Sequence, residues 1–184
     1  PTVGGIQMES ATPWIKSWGV SYALGIDGIS LFMVMLTTFS ASISILGSFN
    51  YIRDRQRPFY ALMLMLEADV VGVFLATDLF LFYVFFELTL VPMYFIVGIW
   101  GGARRIYAAI KFFLYTALGS ILMLVGILYL VYRAKMFIGA PTFAYSDLLQ
   151  VPLSGTEQLW LFGAFALAFS VKVPVFPFHT WLPD

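Results

Sequence analysis

The chain has 184 residues, 61% of them hydrophobic and 11% charged, with a mean hydropathy of +0.90. Soluble domains carry about 25% charged residues, so lipid rather than water is the principal solvent. The 10 basic and 10 acidic residues cancel, which removes the electrostatic case for nucleic acid, and the lack of cysteine excludes disulfides, thiolate metal sites and iron–sulfur clusters in this chain.

Residues 1–23 read as an N-terminal extramembrane segment without the basic and apolar regions of a signal peptide. The sequence starts without Met, as expected of a cloning or gene-prediction edge. Five apolar runs then follow, at about 24–49, 59–76, 79–100, 106–131 and 159–175, called here spans A to E. A bilayer core about 30 Å thick takes roughly 20 helical residues, and lipid offers no partner to exposed peptide groups, so helices are required. The expected class is an all-α, polytopic membrane protein of about five transmembrane helices.

Orientation follows from Lys and Arg. Arg53, Arg55 and Arg57 lie in the A–B connection, and Arg104 and Arg105 in the C–D connection. The opposite side has Lys16, Arg133 and Lys135. Short loops carry the positive-inside rule most strongly, which places the A–B and C–D loops on the cytoplasmic side or its organellar equivalent. The D–E connection is the only long one and reads as an outer-face excursion.

Asp27 and Asp78 stand where spans A and C open, and helix N-capping accounts for both. In span B, Glu67 and Asp69 are two residues apart, so they point about 200° from each other and form no carboxylate dyad. Glu87 is about eight residues into span C, roughly 12 Å from its start. Tyr83 and Tyr94 fall on its helical face, and Pro92 removes the amide that would bond the Leu88 carbonyl. Charge at this depth is costly and marks ion or proton paths; the plainer alternative is a carboxyl that joins two helices.

Lys111 enters early in span D, flanked by Tyr107 and Tyr115, where snorkelling to an interface is an equal explanation. Span E carries Lys172 about thirteen residues in, and Pro174 and Pro177 interrupt the helix just beyond it. The prolines are expected to free the carbonyls of Ser170 and Val173, and broken helices of this kind hold the binding sites of transporters. Snorkelling also explains Lys172 if the span stops at the prolines. Gly163, Ala164, Ala166 and Ala168 suit close helix packing. His179 is the single side chain that ordinarily titrates near neutrality, though a lone His near a helix end is often only structural. One histidine and no clustered acids leave little for a metal ion.

Four motifs now stand in order: Leu24-Gly25-Ile26-Asp27-Gly28-Ile29-Ser30-Leu31; Phe86-Glu87-Leu88 with Val91-Pro92-Met93-Tyr94; Lys111-Phe112-Phe113-Leu114-Tyr115-Thr116; and Lys172-Val173-Pro174 with Pro177-Phe178-His179-Thr180-Trp181-Leu182-Pro183-Asp184. Together they resemble the subunit M family of NADH:quinone oxidoreductase, respiratory complex I (subunit 4 in mitochondria), over about residues 24–184. The resemblance implies a partial antiporter-like transmembrane domain, with spans B to E forming most of the first of two inverted five-helix repeats. It implies a proton-transferring charge pair at Glu87 and Lys172, and a hydrated relay including Lys111 and His179. No cofactor is implied in this chain; NADH, FMN, iron–sulfur clusters and quinone belong to partner subunits of the complex. The implied setting is multi-pass in a bacterial plasma membrane or organellar inner membrane, among other membrane-arm subunits and lipid.

Phe86 stands where the family commonly has Trp, and Asp69 where a small residue is usual. Neither departure is expected to touch the charge pair, although Asp69 bears on the packing or hydration of span B. Members of the family are longer, so a fragment is expected. Two other functions stay open: a subunit of a related cation/proton antiporter or membrane-bound hydrogenase, and a non-transporting membrane scaffold.

Overall fold

The computed structural model describes residues 5–182; Pro183 and Asp184, which close the last sequence motif, lie outside the described residues. The chain opens with an antiparallel hairpin of β1 (Gln7–Ile15) and β2 (Val20–Ile26). The helices are α1 (Gly28–Ser48), α2 (Gln56–Leu75), α3 (Leu79–Leu88), α4 (Leu90–Trp100), α5 (Arg105–Ile138), the short α6 (Tyr145–Leu148) and α7 (Gly155–Lys172). Four helical stretches are long and apolar enough to cross a membrane: α1, α2, α3 with α4, and α5. The fifth, α7, has 18 residues that open on Thr156, Glu157 and Gln158 and close on Lys172, so its apolar part is the shortest.

The hairpin is the main departure from an all-α expectation. Leu24 to Ile26, read from the sequence as the start of span A, belong to β2, and the helix begins only at Gly28. Asp27 sets that boundary: its Oδ1 accepts the Ile29 and Ser30 amides at 2.9 and 2.7 Å, and its own amide donates to Ser30 Oγ. This reciprocal cap fixes the helix start. Strand β2 instead finds partners in β1 and, at Leu24, in an isolated bridge to Ala76.

The hairpin, the α2–α3 turn and the loop after α5 meet at one end of the bundle. Thr77 N donates to Ala23 O, Leu79 N to Phe143 O and Tyr145 N to Thr77 O. Asp78, 1% exposed, joins them. Its Oδ1 caps α3 through the Phe80 and Leu81 amides, and its Oδ2 accepts the Ser21 amide at 2.9 Å. The sequence reading of Asp78 as a cap holds, and the tie to the hairpin is additional. Gly19 ends the hairpin turn at φ 71°, and a side chain there would collide with the Pro141 carbonyl, so this position needs glycine for both backbone and space.

At the opposite end Trp100 Nε1 donates to Asp54 O at 2.9 Å, which puts the two arginine-bearing loops side by side. Both loops therefore lie at the end of the bundle opposite the hairpin. From the hairpin end inward, Val20, Phe86, Met123, Ile127, Val131, Phe143 and Ala168 form one core cluster. Small residues let α5 and α7 approach: a Cβ on Gly119 would lie 3.0 Å from Val171, and one on Gly126 would lie 3.7 Å from the Ala164 side chain. Ala168 is buried as expected of a packing residue. Gly163 is exposed and meets nothing within 4 Å, so it is no part of that contact.

Glu157 lies two residues before the apolar stretch of α7. It bonds the Tyr129 hydroxyl and the Ser154 amide, and Arg133 Nε lies 3.1 Å from its Oε1 without hydrogen-bond alignment. The Tyr129 hydroxyl first, then Ser154, holds its carboxyl down at about 2. A depressed carboxyl contributes stability that is present above its ordinary value of 4.5 and is lost as pH falls through about 2. Acidification across that window is expected to loosen the start of α7, read as faster hydrogen exchange at 154–158, and Glu157→Gln is expected to remove the pH dependence. For the other tie, Asp78→Ala should cost about 2–3 kcal/mol in reversible unfolding in detergent, because it removes a cap and leaves the Ser21 amide unpaired.

Candidate functional site

The stretch 79–100 is helical throughout except at Thr89, where α3 hands over to α4 with φ −57° and ψ −23°. Thr89 Oγ1 turns back to the Phe86 carbonyl at 2.7 Å. Such hydroxyl back-bonding competes with the helical ladder and bends helices. Pro92 follows, buried in the first turn of α4, where a missing amide is best tolerated.

Lys172 reaches this junction from the end of α7. Its Nζ donates to Thr89 Oγ1 at 2.6 Å and to the Phe86 carbonyl at 3.3 Å, and lies 4.6 Å from the centre of the Phe86 ring. The ammonium is thus held by a hydroxyl, a carbonyl and an aromatic face. Phe86 therefore does touch Lys172, contrary to the expectation from sequence. The position matters because a phenyl ring holds a cation less strongly than an indole. Lys172 meets the carbonyl of Phe86, the residue next to Glu87, but among the described residues no hydrogen bond joins the carboxylate to the ammonium.

Glu87 is half-buried and faces α5. Ser120, 2% exposed, stands on the α5 face toward Glu87 and Tyr83, and its hydroxyl donates to the Ala117 carbonyl at 2.9 Å. Tyr94 shares the face, as read from the sequence, but seven residues on, where its ring packs on Phe113 at 5.8 Å. The pairs Glu87–Ser120 and Tyr94–Phe113 are both seven residues apart, which is two turns of two antiparallel helices in contact.

The α7 terminus is more fully bonded than the prolines suggest. Val173 N donates to Phe169 O, Val175 N to Ser170 O at 2.9 Å, and Trp181 Nε1 to Val171 O at 2.8 Å. The Ser170 carbonyl is therefore not free: the chain beyond Pro174 folds back and supplies a donor. Trp181 also packs on Phe112 at 5.1 Å, and Lys111 Nζ donates to the Thr180 carbonyl at 2.5 Å. Lys111 is thus tied to the segment after α7 and stands eight residues before Gly119, about 12 Å along α5 from the level of Val171. His179 stacks against Phe176 at 5.6 Å, and its Nδ1 is buried without a hydrogen-bond partner among the described residues. Glu87 and Lys172 come together at mid-bundle; Lys111 and His179 gather nearer the end with the arginine loops.

Sequence reasoning did not select Thr89 or Ser120. Both are hydroxyls on otherwise apolar helices, and Ser120 follows Thr116 by four residues, which places the two on one face. That spacing was the available signal. Among the described residues no group of three or more His, Asp or Glu is placed to hold a metal ion.

Comparison with known proteins agrees with this architecture. The family model described as NADH:quinone oxidoreductase/Mrp antiporter, TM, matches residues 76–184. The chain belongs to this family. It is 45% identical to NADH-quinone oxidoreductase subunit M of Escherichia coli K12 over 97% of its own length and 36% of that protein's. To F(420)H(2) dehydrogenase subunit M of Methanosarcina mazei it is 42% identical over 97% of this chain and 37% of the relative. Among solved structures, respiratory complex I from Thermus thermophilus with bound NADH contains a chain that it matches with a TM-score of 0.79 at 37% identity, over 98% of this chain and 37% of that one. The chain thus spans little more than a third of the curated relatives it matches. As a member of this family with four bilayer-length apolar helices, it is a multi-pass integral membrane protein.

The α5–α7 contact sets where Lys172 sits. Gly119→Val would drive two methyls into Val171, at a cost of about 1–3 kcal/mol for overpacking. Cysteine cross-linking between α7 and the 86–89 junction should then weaken, with assembly largely retained.

Proposed function

We propose that the chain is the proton-translocating part of a subunit M of NADH:quinone oxidoreductase, resident in a bacterial plasma membrane or organellar inner membrane. Electron transfer from NADH through FMN and iron–sulfur clusters to quinone takes place in partner subunits. Other membrane-arm subunits and lipid are its neighbours. The observation that carries the reading is the Lys172 ammonium held at the Thr89 junction, on the carbonyl of Phe86, the residue next to Glu87.

The chemistry follows from that arrangement. A lysine passes a proton only by becoming neutral. While Glu87 is ionised nearby, its charge keeps the proton on the amine; separating the two lets the proton leave, and bringing them together favours uptake. Because no direct bond joins them, a small shift of α7 or of the 86–89 junction changes the interaction without breaking a salt bridge. Lys111 and His179, gathered toward the arginine-loop end, continue the path to that surface.

A second reading keeps the mechanism and changes the electron source. The 42% identity to the F(420)H(2) dehydrogenase subunit supports the same role in a complex that oxidises another hydride donor. Oxidation assays on the purified complex with NADH and with reduced deazaflavin separate the two.

Glu87→Gln in the full-length protein is expected to lower redox-driven proton translocation in membrane vesicles by roughly two orders of magnitude while the complex still assembles. Asp at 87 should retain part of the activity. Lys172→Arg keeps the charge but cannot deprotonate at ordinary pH, so it should lose most of the pumping. Near-normal pumping in Glu87→Gln would end the proposal; wild-type rates in Lys172→Arg would make the lysine a purely electrostatic element.

A further inference from the structure

The seam between α4 and α5 is open along one side, and the residues that border it have two chemistries. Tyr94 packs on Phe113 with ring centres 5.8 Å apart, and a Cβ on Gly98 would lie 3.6 Å from that of Ala109. These pairs fix an antiparallel register in which the end of α4 meets the start of α5. Deeper in, Val91, Tyr94, Phe95, Ile110, Phe113 and Leu114 line a groove whose walls are almost wholly apolar. At the loop end the seam opens into a second hollow, bordered by Asp54, Arg55, Ile99, Trp100, Arg105 and Ile106. Phe95 and Ile99 stand four residues apart on α4, as do Ile106 and Ile110 on α5. One pair of ridges therefore borders both hollows and joins them into a single groove.

Each part makes its own demand on an occupant. The bond from the Trp100 indole to the Asp54 carbonyl brings the Arg55 loop over the start of α5, so guanidiniums from two separate loops border one mouth. Arg55 and Arg105 are exposed, and among the described residues neither is in a salt bridge. Asp54 is the carboxylate at that mouth, and Arg53, Arg57 and Arg104 lie in the same two loops, so the charge there is positive. Arginines stay at the bilayer surface because their charge is costly deeper in. Ile106 and Leu114 are eight residues apart, about 12 Å along the helix, and half of a hydrocarbon core is about 15 Å. The groove thus spans most of one leaflet, from a cationic mouth to an apolar end. Val91, Phe95, Ile110 and Leu114 are all more than a third exposed along it. What fills it must join an anion to a hydrocarbon tail.

We propose that this groove seats one anionic phospholipid, its phosphate between Arg55 and Arg105 and an acyl chain along Phe95, Ile110 and Leu114. Charge complementarity selects the occupant. An apolar helix would cover the inner stretch and leave the two guanidiniums without an anion, a zwitterionic lipid brings its own cation to the mouth, and a free phosphate has no tail to bury. A guanidinium offers paired donors to phosphate oxygens, and each basic residue at a membrane surface favours anionic lipid by about fivefold. Bound there, the lipid bridges the α1–α2 and α4–α5 loops. The inference is independent of the Glu87–Lys172 reading.

The test uses the assembled complex carrying the full-length protein, reconstituted in vesicles. One set contains phosphatidylglycerol with a photoactivatable diazirine midway along an acyl chain, the other phosphatidylcholine with the same chain. Mass spectrometry should place the phosphatidylglycerol label within 91–114, with phosphatidylcholine labelling there at least about fivefold weaker. Arg55→Gln and Arg105→Gln should each cut phosphatidylglycerol labelling about fivefold, and Ile110→Trp, which fills the groove, should remove the label of both lipids. Equal labelling by the two lipids would mean an ordinary lipid-facing surface. No label at 91–114 in an intact complex would mean that protein, from a partner or from the rest of the chain, covers the groove. Either result overturns the proposal, as does phosphatidylglycerol labelling unchanged in the arginine variants. If Ile110→Trp fails to assemble, the two arginine variants, which alter exposed side chains only, still decide the matter.

Discussion

One ammonium, inside a bundle whose outer face is lipid, constrains most of this structure. Lys172 cannot be left bare at the end of α7, because a buried cation without partners is far more costly than any single packing contact. The bundle answers with a hydroxyl, a carbonyl and a ring, all from the turn around Phe86 and Thr89. That turn is available because α3 gives way to α4 there. Holding Lys172 at the turn also requires α7 to lie close to α5, and hence glycine at 119 and alanine at 168.

The hairpin end shows the same rule applied to backbone rather than charge. A short connection between α2 and α3 leaves amides and carbonyls at the edge of the bilayer, and each of them must be paired. The hairpin and the loop after α5 supply those partners, and Asp78 binds both the α3 amides and Ser21. At the end that carries the arginines, the Trp100 indole is tied to the Asp54 carbonyl.

The sequence by itself determined the class of solvent, the long apolar helices, the two aspartate caps and the candidates at Glu87 and Lys172. These follow from local composition and periodicity, since lipid leaves a spanning segment almost no choice but helix. It also placed Tyr83 and Tyr94 on the Glu87 face, because helical phase is a local property. Only the tertiary structure decided what each polar group meets. Leu24 to Ile26 are apolar enough to extend a span, yet they pair as a strand because β1 and Ala76 offer edges and Asp27 stops the helix. Pro174 takes from Ser170 its usual helical donor, but the returning chain supplies Val175 instead. Phe86, set apart from the pair by sequence, lies under the lysine because α7 ends against the α3–α4 turn. Thr89 and Ser120 gain their meaning from which helix stands opposite, and that depends on packing between segments more than 80 residues apart, beyond the reach of any local pattern.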